Sequence, residues 1–240
     1  MIRSLTNEKI KHVLKLKDKK YRQEYGEFVV EGTHLIEEAI AFGLCKFIFS
    51  LTENSPYPVE TLQVSIEVMK KMSNLTTSPG MIAICSIQVS NALTDKILIL
   101  DGVQDPGNLG TLIRSASAFG FRTILVQNSV DLYNPKVLRS TQGGIFKINY
   151  REIDIEKFMN EHQEIHFIGT DLASGIPFSN VHATPAKIAL ILGNEGSGVQ
   201  TTILNKTAYN IKIEMQDMES INVGAAGSIL MYAFSQMKGI

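Results

Sequence analysis

Residues 97–120 read ILILDGVQDPGNLGTLIRSASAFG. Four consecutive aliphatic residues with no polar alternation mark a strand buried on both faces. The strand runs straight into Asp101-Gly102, and apolar residues then recur at helical spacing over 109–119. Strand, glycine-bearing loop and helix together form the repeating unit of a parallel α/β sheet. Downstream the unit recurs, with short apolar strands expected at 123–126, 146–149, 165–170, 188–192 and 209–213. Helices are expected at 134–140 and 155–161, and from about 222 to 237 at the end of the chain. The fold class is therefore α/β, a parallel sheet with helices on both faces.

Upstream, the alternation is looser. A basic helix is expected over 7–19, and a strand over 27–31 closed by Gly32. Thr33 reads as the N-cap of an amphipathic helix that carries Leu35, Ile36, Ala39 and Ile40 and ends at Gly43. Strands follow at 47–49 and 81–85. Residues 88–95, QVSNALTD, are polar and turn-rich, the composition of a linker. A length of 240 residues suits one large domain or two smaller ones. The linker divides it into a smaller α/β domain over 1–90 and a larger one over 91–240.

Composition removes several classes. With 44% hydrophobic residues, the chain can bury enough surface to offset its ordering entropy, which excludes intrinsic disorder. No apolar run approaches the roughly 18 residues that span a membrane. The opening MIRSLTNEKIKHV has no apolar stretch of the secretory kind. Cys45 and Cys85 lack C-x-x-C spacing, so two reduced thiols are expected rather than a disulfide scaffold or a zinc cluster. The expected location is the cytoplasm. A net charge of −1 conceals an asymmetry, because residues 1–25 hold eight Lys or Arg against three acids. A basic arm suits a nucleic-acid backbone, through release of counterions. An exposed helical face would look the same, since Ile10, Val13, Leu14 and Leu16 recur at near-helical spacing in that run. Charge alone does not choose.

Ligands of open parallel sheets bind beyond the carboxyl ends of the strands. Three loops fall there: 101–110 (DGVQDPGNLG), 193–198 (GNEGSG) and 218–228 (MESINVGAAGS). None contains the G-x-G-x-x-G of a dinucleotide site. The second loop has P-loop spacing, but Val199 and Gln200 stand where Lys and Ser or Thr would hold phosphate and magnesium, which excludes an NTPase. In the first loop Asn108 is a candidate N-cap. Arg114 is the only charge between Pro106 and Phe121, and Glu195 is the only charge in the second loop. Two readings stand side by side: a structural Arg114–Glu195 ion pair, or Arg114 facing an anionic substrate. Small residues after Ser220 and Asn222 let the backbone approach either a flat ligand or a neighbouring helix.

Taken together, residues 100–120, 191–198 (ILGNEGSG) and 219–226 (ESINVGAA) resemble the three motifs of the SpoU (TrmH-type) branch of the SPOUT RNA methyltransferases. Residues 1–90 resemble, less closely, the ribosomal-protein-like RNA-binding domain of its rRNA-modifying members. The resemblance implies a trefoil-knotted catalytic domain, a homodimer with the active site at the subunit interface, and S-adenosylmethionine as methyl donor. It implies methyl transfer to a ribose 2′-hydroxyl of RNA, with 23S rRNA favoured. Transfer RNA, or a non-catalytic ribosome-assembly role, are the alternatives. By position, Arg114, Asn108, Glu195, Ser220 and Asn222 would be catalytic, and Gly193, Asn194, Gly196, Ile213 and Ile221 would bind the cofactor. Lys9, Lys11, Lys15, Lys19 and Arg22 would contact RNA. No metal, membrane or DNA partner is expected. Ile221 stands where the family usually has Leu, a volume-conserving change expected to be neutral.

Overall fold

Asp18 divides the basic N-terminal segment into two helices in the computed structural model, which describes residues 1–237. Its carboxylate accepts from the Lys20 amide and caps a new helix, which outcompetes continuation of the first. The single helix expected over 7–19 is therefore α1 (Glu8–Lys15) followed by α2 (Lys19–Tyr25). Then come β1 (Glu27–Glu31), α3 (Thr33–Ala41), β2 (Cys45–Ser50), β3 (Thr61–Gln63), α4 (Ile66–Met72) and β4 (Met81–Ser86). Thr33 is the first helical residue and not the cap; Gly32, at φ 90°, precedes the helix without a side-chain bond. The sheet order is β1-β4-β2-β3, with β4 antiparallel to both neighbours and β3 parallel to β2. Ile10 and Val13 from α1 and Val68, Met69 and Met72 from α4 pack on Phe49, Ile82 and Ile84 of one sheet face.

The chain divides into two compact units between Gln88 and Val89. The second unit contains β5 (Lys96–Asp101), α5 (Pro106–Phe119), β6 (Thr123–Gln127), α6 (Pro135–Thr141), β7 (Asn149–Glu152), α7 (Ile155–Glu161) and β8 (His166–Thr170). It continues with β9 (Ile176–Pro177), β10 (Ile188–Gly193), α8 (Thr201–Leu204), β11 (Tyr209–Lys212) and α9 (Val223–Gln236). Among the described residues these seven strands form one parallel sheet in the order β7-β6-β5-β10-β8-β11-β9. Ile97, Ile99, Ala189 and Ile191 pack with Phe158 of α7 and Ile203 of α8 on one face. On the other face α9 rides against α5, and a Cβ on Gly227 would meet Leu112 at 2.3 Å and Leu192 at 2.5 Å. The α/β parallel sheet expected from the apolar strands is the fold observed.

The expected strand at 146–149 is displaced. Gly143, at φ 84°, starts a 3-10 turn over Gly144–Lys147, and the strand begins only at Asn149. Gly144 lies so close to α5 that a Cβ there would stand 3.4 Å from the Cα of Arg114. The apolar Ile145 and Phe146 are thus core side chains of a turn. No helix among the described residues is long and apolar enough to cross a membrane.

Candidate active site

The sheet changes direction between β5 and β10: β6 and β7 extend it one way, β8, β11 and β9 the other. Such a reversal opens a crevice at the carboxyl ends of the strands. A cavity of about 540 Å³ lies at the carboxyl ends of β10, β8 and β11, on one side of that reversal, walled by the segments that follow these strands and by the start of α9. That is within the roughly 300–1,000 Å³ of small-molecule sites. Gly193, Asn194, Gly196, Ile213 and Ile221 all line it.

Three side chains tie the loops together at this wall. Asn222 is the N-cap of α9, its Oδ1 accepting from the Ala225 amide at 3.2 Å. Its Nδ2 donates to Oδ1 of Asn108 at 2.8 Å, and Asn108 Nδ2 donates to Oε1 of Glu195 at 2.9 Å. Glu195 also accepts from the backbone amides of Asp105 at 3.0 Å and Gln104 at 3.2 Å. Asn108 is therefore not the cap the sequence suggested. With Pro106 in the first turn, the helix starts earlier, and Asp105 caps the Asn108 amide at 2.9 Å. The Asn108 side chain is left free to bridge Glu195 and Asn222. Ser220 stands on the same cavity wall, and its hydroxyl makes no hydrogen bond among the described residues.

Burial pushes the Glu195 carboxyl upward, but donation from Asn108 and from the Asp105 and Gln104 amides outweighs it and leaves the group below its usual range. A depressed carboxylate stabilises the fold above its unfolded value, and that contribution fades as pH falls through the folded value. The stability gap between wild type and Glu195→Gln should accordingly be widest at neutral pH and narrow below about pH 4. Thermal melts across that range measure it, and a gap independent of pH would contradict the network.

Beyond the expected site residues, Asp101 and Gln200 hold the segment that follows β10. Asp101, buried at the end of β5, accepts from the Gln200 amide at 2.8 Å and from Gln200 Nε2 at 2.7 Å, which fastens the start of α8 to the central strand. A buried carboxylate ending an aliphatic strand was the available signal. Asn194 donates to the Gly102 carbonyl at 2.8 Å and accepts from the amides of Gly196 and Ser197. Its side chain thus shapes the loop.

Arg114 is not gathered into this cluster. Six residues beyond Asn108, it lies about 9 Å further along the helix and is turned about 120° away from it. It is exposed and makes no ion pair or hydrogen bond with any described residue. The structural Arg114–Glu195 pair is absent, since Glu195 takes its partners from Asn108 and the loop amides. Beside it, α9 exposes Ile229 (48%) and Tyr232 (54%) one helical turn apart, and Ser115 of α5 bonds Ser228 at 2.7 Å.

In the first unit the basic residues differ in availability. Lys9 pairs with Glu60 at 2.9 Å and lies over the Phe47 ring; Lys11 pairs with Glu8 at 2.8 Å. These are exposed pairs of little net strength, open to exchange for phosphate. Lys15 is exposed above the Tyr21 ring, whereas Lys19 is half-buried. Arg22 is a correction to the expected RNA contacts. It is 6% exposed, and its guanidinium donates to the carbonyls of Leu16 at 2.7 Å and Lys17 at 2.8 Å. Those carbonyls lie where α1 ends, so Arg22 satisfies the helix terminus and does not face solvent.

A SpoU rRNA methylase family model matches residues 95–232, and an MRM3-like substrate binding domain model matches residues 7–83. The chain is 35% identical to the 23S rRNA (guanosine(2553)-2′-O)-methyltransferase RlmP of Bacillus subtilis, over 96% of this chain and 97% of that one. A solved RNA 2′-O ribose methyltransferase superposes with a TM-score of 0.79 at 27% identity, covering 96% of each chain. The AdoMet-bound rRNA methyltransferase of Sinorhizobium meliloti shares the fold with a TM-score of 0.84 at 24% identity, over 96% of this chain and 95% of that one. With more than half its length inside the family model and a full-length relative at this identity, the chain belongs to the SpoU rRNA methylase family.

Proposed function

We propose that this chain transfers the methyl group of S-adenosylmethionine to a ribose 2′-hydroxyl of ribosomal RNA, with 23S rRNA as the substrate class. The observation that carries this is the Glu195–Asn108–Asn222 chain, which closes one wall of a partly apolar cavity while the only arginine of α5 stays unpaired. The cavity suits the donor: Ile213 and Ile221 offer apolar surface to a flat ring, and Gly193 and Gly196 let backbone groups approach it. S-adenosylmethionine, when bound, supplies an activated methyl group on a sulfonium. The protein then has to position the ribose and favour its deprotonated oxygen. Asn222, Asn108 and Glu195 hold the loops in one geometry, and Ser220 offers an unused hydroxyl to the ribose. Arg114 supplies the positive charge, holding an RNA phosphate and stabilising the developing oxyanion. As a guanidinium, Arg114 acts through fixed positive charge and hydrogen-bond donation.

Because Arg114 is exposed and absent from the lining of its own chain's cavity, the reading includes a homodimer in which each Arg114 completes the partner's site. The exposed Ile229 and Tyr232 beside it support that face as the contact. A trefoil knot in the second unit, residues 1–90 as the RNA-selecting domain, residues 91–240 as the catalytic domain, and a cytoplasmic location belong to the same reading. Lys9, Lys11, Lys15 and Lys19 are its phosphate contacts.

Purified protein incubated with labelled S-adenosylmethionine should place label in unmodified 23S rRNA and not in a transfer RNA pool. Label confined to transfer RNA would replace the substrate class. Cofactor binding without transfer to either RNA, or to ribosomal precursors, would instead mean a binding-only assembly role.

A further inference from the structure

Cys45 and Cys85, which the proposed chemistry leaves unused, stand opposite each other across β2 and β4 as free thiols. The Ser86 amide donates to the Leu44 carbonyl at 2.9 Å, a bond that brackets the pair and makes it a non-hydrogen-bonded position of the antiparallel ladder. Such positions bring Cα atoms to about 4.5 Å, the closest approach the ladder offers. Disulfides span Cα separations of roughly 4.4–6.8 Å, which include that approach, and the pair stands beside a register shift between Cys45 and Phe47. Ile82 and Ile84 pack toward α1 and α4, so by alternation Cys85 points to the opposite face of the sheet; on β2 the register shift between Cys45 and Phe47 takes Cys45 off the face that Phe47 and Phe49 share, and its thiol is hydrogen-bonded to that of Cys85. Cys85 is fully buried there, whereas Cys45 is half-buried near the start of its strand.

We propose that Cys45 and Cys85 are a peroxide-oxidisable pair that closes into an intrachain disulfide between β2 and β4. The Cys45 sulfur attacks one oxygen of a hydroperoxide, the O–O bond breaks, and Cys45 becomes a sulfenic acid as water or alcohol departs with the thiol proton. The Cys85 sulfur then attacks the Cys45 sulfur. The S–O bond breaks, and the hydroxyl leaves as water with the proton of Cys85. Two thiols are oxidised by two electrons and one peroxide is reduced. The order of events follows from the surroundings. Donation from Cys85 holds the Cys45 thiol below its ordinary range against the effect of burial, while that same bond and burial push Cys85 well above it. Cys45 is thus the accessible attacking sulfur and Cys85 the resolving one.

The test uses the folded, full-length protein and hydrogen peroxide, followed by alkylation under denaturing conditions and peptide mass mapping. The expected product is a monomer that has lost two hydrogens, has no alkylatable thiol, yields a Cys45–Cys85 linked peptide, and reverts with dithiothreitol. The Cys85→Ser variant should stop at a sulfenic acid on Cys45 that dimedone traps. The Cys45→Ser variant should leave Cys85 unoxidised while the protein is folded. A link between two chains, over-oxidation of Cys45 with Cys85 still free, or Cys85 reacting first would each overturn the proposal.

Discussion

Replacing Arg114 by Ala is expected to lower methyl transfer about 10²–10⁴-fold while leaving S-adenosylmethionine affinity and thermal stability unchanged. The stability part of the expectation rests on burial and partners. Arg114 is exposed and bonded to no described residue, and surface changes of that kind stay within about ±0.5 kcal/mol. The activity part rests on charge. A ribose hydroxyl is a poor nucleophile at neutral pH, and a guanidinium placed at the developing oxyanion is the one cation α5 supplies. Arg114→Lys should lose most of the activity as well, because an ammonium cannot reproduce a two-pronged contact with a phosphate. Complementation then locates the site. Arg114→Ala mixed with Glu195→Ala, each inactive alone, should regain about a quarter of wild-type activity if subunits exchange freely and each Arg114 serves its partner. Turnover close to wild type in the single variant would remove Arg114 from the chemistry, and failure of the mixed proteins would remove the shared site.

The second large effect is expected at Gly193. A Cβ there would lie 2.0 Å from the carbonyl carbon of Gly198 and 2.1 Å from the Val199 amide nitrogen. Both are backbone atoms, so no side chain can swing away, and either β10 or the loop that returns past it must shift. Overpacking of this kind typically destabilises by about 1–3 kcal/mol, and Gly193→Ala should reach the upper end of that range. Because the displaced loop carries Asn194 and Glu195, cofactor binding should fail with it. Gly196 is the internal comparison. The nearest atom to a Cβ there is Asn194 Oδ1 at 3.6 Å, an ordinary contact, so Gly196→Ala should fold normally. Denaturant melts and S-adenosylmethionine titrations of the two variants decide this. Equal behaviour would mean that close backbone approach at the end of β10 does not shape the cavity.

Local patterning explains why so much was legible in the sequence. The aliphatic runs at 97–100 and 188–192 read as strands buried on both faces, and they are the paired centre of the sheet. Asp18, Asp105 and Gly143 explain where boundaries moved. In each case a short polar side chain or a glycine offered the backbone a local bond or turn that hydrophobic periodicity does not register. Arg22 departs from its expected role for a related reason: a basic run identifies charge but not direction, and one of its members turns inward to a helix terminus.

The sequence by itself determined the α/β class, the three glycine-rich loops after the strands, and the residue types those loops carry. These follow from side-chain periodicity and backbone freedom, which are properties of short stretches. Only the tertiary structure decided that Glu195 bonds Asn108 and not Arg114, and that Asn222 joins the same chain of bonds. Those partners are 87 and 114 residues apart along the sequence. Whether an asparagine caps its own helix or bridges two loops depends on which atoms the strand order brings within 3 Å, and no local pattern encodes that distance.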